Sequence, residues 1–288
     1  MDSITMIPGL AHLAPNYEGI VCDVWGVLHN GVVGYADAGE ALRKFRETTG
    51  KPVVLLTNAP RPAPHIATML DKFQIPRDAY DAIVTSGDVT TERLRREVHL
   101  PSYFIGPERD IPMLGDLGIT LVGEGDAKLL ICTGLFDDDT ETPESYRASF
   151  ERLVAADVPM ICANPDIVVE RGHRLIFCAG ALAQLYAEMG GRTELYGKPY
   201  KPVYDVALET LSTLAGKPVV AKDVLAIGDA LPTDVRGGWG QGMDVLMVTA
   251  GIHAADFGPA DEPDPVLVAK RLAIEGIVAK AAIPRLKW

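Results

Sequence analysis

Residues 19–31 read GIVCDVWGVLHNG. Four small or apolar residues run together and stop at Asp23. An uninterrupted apolar run this short reads as a strand covered on both faces, because the apolar/polar alternation disappears when neither face meets water. Moving outward from it, the same form recurs in PVVLLTN (52–58), AIVTSG (82–87), SYFIG (102–106), KLLICTG (128–134) and PMICANPD (159–166). It returns in ELYGKP (194–199), VLAIGD (224–229) and DVLMVTAG (244–251). Between these runs the pattern becomes helical over 36–48, 62–73, 142–155, 179–189 and 202–214. Repeated strand–helix–strand order predicts an α/β fold with a doubly wound parallel sheet and helices on both faces.

The ends of these runs carry the chemistry. Asp23 follows GIVC, Thr57 and Asn58 follow VVLL, and Asp229 follows VLAIG, with Asp234 close behind in GDALPTD. In a doubly wound sheet, ligands bind beyond the carboxyl ends of the strands. A carboxylate closing a buried strand has to be paired or bound to a metal. Each residue alone could be a turn or helix-cap residue. Together they point to one site.

The 288 residues suffice for one large domain or two ordinary ones. Hydrophobic residues make up 48% and charged residues 23%, with a mean hydropathy of +0.12, which is a globular composition. A net charge of −12 and an isoelectric point near 4.9 argue against nucleic acid and anionic membranes as partners. No apolar stretch approaches the ~20 residues that cross a bilayer, and the N-terminus lacks a basic segment followed by a long apolar run. Cys22, Cys132, Cys162 and Cys178 lie in or beside apolar runs, form no CxxC pair and read as buried free thiols of a reducing compartment. A cytoplasmic location is expected. Asp137–Asp139 reads as a solvated loop, since no other ligand type accompanies it. GGWGQG (237–242) precedes a strand instead of following one, so it fails as a dinucleotide loop and is expected to close the helix after Asp234.

Four motifs now carry a resemblance. VCDVWGVLHNG (21–31), LLTNAP (55–60), YGKPYKPVYD (196–205) and AIGDALPTDV (226–235) resemble, in order and spacing, the motifs of the haloacid dehalogenase superfamily. The resemblance is to its class IIA branch, which includes NagD-type nucleotide, pyridoxal phosphate and p-nitrophenyl phosphatases. It implies a magnesium-dependent phosphatase of a small phosphorylated metabolite. In that family's terms Asp23 is the nucleophile that forms an aspartyl-phosphate. Asp23, Asp229 and the main-chain carbonyl of Trp25 would hold magnesium. Lys198, the Thr57 hydroxyl and the Asn58 N–H would hold the phosphate oxygens. Asp234 would brace the site by hydrogen-bonding water or Lys198.

Trp25 departs from the pattern. Most phosphatases of the superfamily read DxDGT, and the second Asp protonates the leaving oxygen. Trp can only donate a hydrogen bond. Losing a positioned acid–base group costs about 10²–10⁴ in rate. The departure implies a slow enzyme or one restricted to good leaving groups such as aryl and acyl phosphates. His29 and His173 are candidate replacement acids, although His29 reads more readily as a solvated loop histidine. A non-catalytic phosphate-ligand binding or sensor protein is the alternative.

The 140 positions from Asn58 to Lys198 exceed what one crossover needs. The resemblance places a class IIA α/β cap at 101–192, with the hydrolase core at 1–100 and 193–288. Within the cap, IVVERGHRLIF (167–177) matches the family's specificity loop. Its Arg171, His173 and Arg174 could supply positive field, with Arg171 and His173 as substrate-binding residues. Asp166 reads as a turn residue. No lysine falls in 167–177, which argues against phosphonate chemistry there. Members of this branch commonly dimerise through the cap, so a homodimer joins the small metabolite as a partner.

Overall fold

The computed structural model describes residues 3–115, 117–171 and 174–288. The chain divides into two compact units. The first comprises Met1–Thr57, Pro64–Val84 and Tyr204–Trp288; the second comprises Asn58–Ala63 and Thr85–Val203. The second is therefore wider than the 101–192 expected of a cap.

The first unit is built on β1 (Gly19–Cys22), β2 (Val53–Thr57) and β3 (Ala82–Thr85) from the first half of the chain. The second unit has β4 (Ser102–Ile105), β5 (Leu129–Cys132), β6 (Met160–Cys162), β7 (Val168–Arg171), β8 (Arg174–Phe177) and β9 (Thr193–Leu195). Strands β10 (Val224–Gly228), β11 (Asp244–Val248) and β12 (Ala281–Ile283) return to the first. The six-stranded sheet has the order β12-β11-β10-β1-β2-β3. Every residue of β1, β2 and β10 is buried, as uninterrupted apolar runs require when helices cover both faces. The helices Ala36–Thr49, Ala63–Lys72, Lys201–Ala215 and Pro265–Glu275 follow the helical periodicity of the sequence. The run 237–242 closes the helix after Asp234 as the sequence suggested, since that helix ends at Gly240 and Gly242 turns at φ +82°; earlier in the run stand Gly237 and Gly238. They lie inside Arg236–Gly240, where Gly238 lets the helix approach Ala226 of β10 and Val245 of β11.

The second unit repeats the architecture on a smaller scale. Its parallel sheet has the order β4-β5-β6-β9. Leu130, Cys132, Met160 and Cys162 point to one face, packed with Phe150, Leu182 and Tyr186 of two helices. Leu129, Ile131 and Ile161 point to the other, packed with Leu94 and Met113. Strands β7 and β8 form a separate antiparallel hairpin. All four cysteines are buried and free. No helix among the described residues is long and apolar enough to cross a membrane.

Candidate active site

Strand register sets the core side of the site. Cys22 at the end of β1 is aligned with Ile227 of β10, and the Asp23 N–H donates to the Ile227 carbonyl at 2.8 Å. Asp23 and Asp229 thus leave neighbouring strands at nearly the same level, and Thr57 ends the strand on the other side of β1. A π-helical turn, Leu231–Val235, swings Asp234 back toward them. One oxygen from each of Asp23, Asp229 and Asp234 falls within 4.8 Å of the others, and all three residues are buried.

Backbone amides hold two of these carboxylates. Asp229 Oδ2 accepts the Ile252 N–H at 2.8 Å. Asp234 Oδ2 accepts the N–H groups of Asp229 and Ala230 at 3.2 and 3.0 Å. Asp234 therefore holds the main chain that carries Asp229, partners the sequence did not reveal beside the water or Lys198 expected of it, and its carboxylate also joins the acidic group itself. A Cβ added at Gly26, whose φ is +89°, or at Gly251 would fall onto the Asp229 carboxylate. Both glycines were missed by the sequence reading. The only cue was their position, three residues after Asp23 and three after the end of β11. Three close carboxylates in a poorly hydrated place repel one another strongly unless a cation joins them. An all-oxygen donor set suits a hard divalent ion.

Trp25 and His29 correct the sequence reading. His29 is fully buried and not a solvated loop residue. Its ring stacks on Phe73 at 4.4 Å and meets Trp25 edge-on at 4.9 Å. Its Nδ1 accepts the Gly31 N–H at 2.9 Å, which puts the ring hydrogen on Nε2. Burial pushes its pKa down to about 4. At neutral pH it is an uncharged ring without a proton to give as an imidazolium, so it is a poor replacement for the missing acid. A Cβ at Gly31, where φ is +83°, would lie 2.6 Å from the Trp25 ring. The loop is built to the shape of Trp25.

The second unit gathers Asn58, Asp166 and Lys198. The Asn58 amide clasps the main chain of Lys198: Oδ1 accepts its N–H at 2.6 Å, and Nδ2 donates to its carbonyl at 3.1 Å. Nδ2 also donates to Asp166 Oδ1 at 2.9 Å. Asp166 accordingly does more than form a turn; it aims the Asn58 side chain. Ser86 Oγ donates to the Tyr196 carbonyl just upstream. Gly197, at φ +136°, leaves room for Asn58 Oδ1 and Pro165.

On the hairpin, Arg171 is not a bare cation. It grips Asp138 through NH1 at 3.1 Å and NH2 at 2.8 Å, and Arg109 shares Asp138 at 2.9 Å. The paired guanidiniums lower the Asp138 pKa. Arg174 NH1 reaches Asp139 at 3.2 Å. The Asp137–Asp139 run, read from sequence as a solvated loop, thus offsets the hairpin's positive field. His173 lies outside the described residues.

The chain matches a family model for haloacid dehalogenase-like hydrolases over residues 20–120 and one described as HAD-hydrolase-like over 195–273. It is 41% identical to a hydrolase of the haloacid dehalogenase-like family from Brucella suis 1330, with a TM-score of 0.87, covering 98% of this chain and 100% of that one. It is 25% identical to the 5'-nucleotidase YutF of Bacillus subtilis (strain 168), over 86% of this chain and 93% of that protein. It is 26% identical to the ribonucleotide monophosphatase NagD of Escherichia coli (strain K12), over 83% and 90% respectively.

Proposed function

From its membership of the haloacid dehalogenase-like hydrolase family, we propose that this protein is a magnesium-dependent phosphatase of a small phosphorylated metabolite, working through an aspartyl-phosphate on Asp23. The observation that carries the proposal is the buried cluster of Asp23, Asp229 and Asp234 at the carboxyl edge of the parallel sheet. Relatives named as a nucleotidase and a monophosphatase support phosphoric monoester hydrolysis as the activity.

Asp23, Asp229 and the Trp25 carbonyl would hold the ion, and the position of Asp234 adds a further carboxylate within reach. Bound there, magnesium supplies the positive charge that lets a carboxylate approach an anionic ester. Asp23 then attacks phosphorus, the ester bond breaks, and the leaving oxygen departs with the electron pair. Water hydrolyses the aspartyl-phosphate, releasing phosphate and restoring Asp23. Thr57, Asn58 and Lys198 are assigned to the phosphate oxygens by their motifs. The Asn58 clasp supports this by fixing the Lys198 main chain. Arg171 and His173 are assigned to the substrate's remainder, with Arg171 already charge-compensated by Asp138.

The missing acid favours leaving groups that need no proton. Wild-type protein with magnesium should release phosphate from p-nitrophenyl phosphate about 10²-fold or more faster than from an alkyl phosphate, the range a general acid normally supplies. Asp23→Asn should abolish both. Absence of turnover on aryl, acyl and alkyl phosphates alike would overturn the proposal and favour a phosphate-ligand sensor. Trp25 is the residue behind that second reading. Trapping an acyl-phosphate mimic at Asp23 with beryllium fluoride, together with turnover, would exclude the sensor.

A further inference from the structure

The core carboxylates are gripped from two loops of the first unit. Ile252, in the loop after β11, donates its N–H to Asp229 Oδ2. Asp234, in the π-helical turn after β10, accepts the N–H groups of Asp229 and Ala230. Both loops are tied to a third element of the same unit, the helix Pro265–Glu275. That helix is sharply delimited. The Asp264 side chain accepts the Val266 N–H at 2.8 Å at its start, and Gly276 closes it at φ +64°.

Arg271 and Glu275 stand one turn apart on this helix, so their side chains are neighbours. Glu275 engages a different arginine with each oxygen. Its Oε1 meets Arg271 NH1 at 3.1 Å. Its Oε2 accepts from Arg236 NH2 at 3.0 Å, and the same NH2 donates to the Glu275 carbonyl at 3.1 Å. Arg236 directly follows the π-helical turn, two residues past Asp234. In the other direction, Arg271 Nε is buried, makes no hydrogen bond to any described residue and lies 3.5 Å from Asp256 Oδ2. Asp256 ends a tight turn that begins at Gly251. There the Ala254 N–H donates to the Gly251 carbonyl at 3.0 Å, and the Asp256 N–H to the His253 carbonyl at 2.9 Å.

These pairs are partly exposed: Glu275 by 26%, Arg271 by 34% and Arg236 by 41%. Exposed ion pairs add little to stability. This chain of them supplies geometry, because it runs from the loop that grips Asp229 to the turn that carries Asp234. Resting on the phosphatase reading above, we propose that Glu275 and Arg271 are positioning residues that couple the two grips and so set the spacing of the Asp229 and Asp234 carboxylates. They touch neither carboxylate. They act through the Ile252 amide on one side and through Arg236 on the other, as outer partners orient the groups that hold an ion.

The test measures amide hydrogen exchange and binding of magnesium alone, by calorimetry, in full-length wild type, Glu275→Ala, Glu275→Gln and Asp71→Ala. Asp71 pairs with Arg77 on the surface of the same unit, so its loss is a control of similar size. In Glu275→Ala the Ile252 and Ala230 amides should exchange about fivefold faster together, and magnesium should bind about fivefold more weakly, the scale of a surface ion-pair network. Glu275→Gln keeps one acceptor and should fall between. The Asp81 amide, which donates to the Val53 carbonyl, should keep its rate, and Asp71→Ala should change none of these values. A merely structural role would lower the thermal midpoint and speed Asp81 equally, which overturns the proposal. So does a change at only one of the two amides, or unchanged magnesium affinity. If wild type cleaves no phosphate ester or binds no magnesium, the phosphatase reading has failed instead, and the paired response of Ile252 and Ala230 alone decides the coupling.

Discussion

The two parallel sheets of this chain both present carboxylates at their carboxyl edges, but they hold them differently. At the core edge, backbone N–H groups grip Asp229 and Asp234, and glycines make the room. At the edge of the second unit's sheet, Asp110, Asp138 and Asp166 are held by the side chains of Arg61, of Arg109 and Arg171, and of Asn58. A main-chain grip has no rotamer freedom and adds no formal charge. A side-chain grip neutralises charge and can rearrange. On the proposed function the contrast would be a division of labour: fixed geometry at the reacting carboxylates, adjustable polar pairs in the second unit.

The contrast breaks most readily at the core edge. Gly251→Ala puts a methyl group onto Asp229. Magnesium-dependent phosphate release should fall about 10²-fold or more, near 3 kcal/mol, with a higher magnesium requirement. Wild-type turnover at low magnesium in that variant would contradict a rigid grip.

Next in size is the acid sensitivity of the loop behind the core site. His29 has its pKa lowered by burial to about 4 from 6.5. The unfolded chain therefore binds this proton more tightly than the folded one. Stability is full above about pH 6.5 and declines as pH falls toward 4, by up to about 3 kcal/mol. Thermal unfolding of His29→Phe should lose less between pH 7 and pH 5 than wild type does. Parallel pH slopes would show that other groups dominate.

Asn58→Ala removes three hydrogen bonds at once. Each has a net worth of about 1 kcal/mol, so kcat/KM for p-nitrophenyl phosphate should drop about 10²-fold. The smallest effect belongs to the adjustable side. Asp138→Asn frees charge on Arg109 and Arg171, pairs that are partly exposed and worth about 1 kcal/mol or less. Inhibition by pyrophosphate should tighten about threefold as the hairpin gains net positive charge. A larger response here than at Gly251 would invert the comparison.

The core was legible because burial on both faces leaves an unmistakable apolar run, and because Asp23 and Asp229 interrupt such runs. The identity of strand partners follows from topology rules, and with it the meeting of those two residues. What stayed hidden depends on contacts across long separations. Asn58 and Asp166 are 108 positions apart, and Arg174 and Asp139 are 35 apart. No local pattern announces such pairs. His29 misled for a related reason. LHNG looks like a polar turn, and it is one along the main chain, where the Asn30 side chain accepts the N–H groups of Val32 and Val33. The imidazole is buried because Phe73, in the turn after the helix Ala63–Lys72 and 44 residues onward, stacks on it while Trp25 meets its edge.

The Asn58 clasp has a consequence for how this architecture diversifies. It joins two points 140 positions apart in sequence and thereby pins both ends of everything between them. For a segment with pinned ends, the entropic cost of added length grows only logarithmically, about 0.6 kcal/mol per doubling. Insertions or deletions in the part of that span that belongs to the second unit leave the stem intact. On the proposed function, one amide side chain would let the hydrolytic chemistry be inherited unchanged while the second unit varies in length.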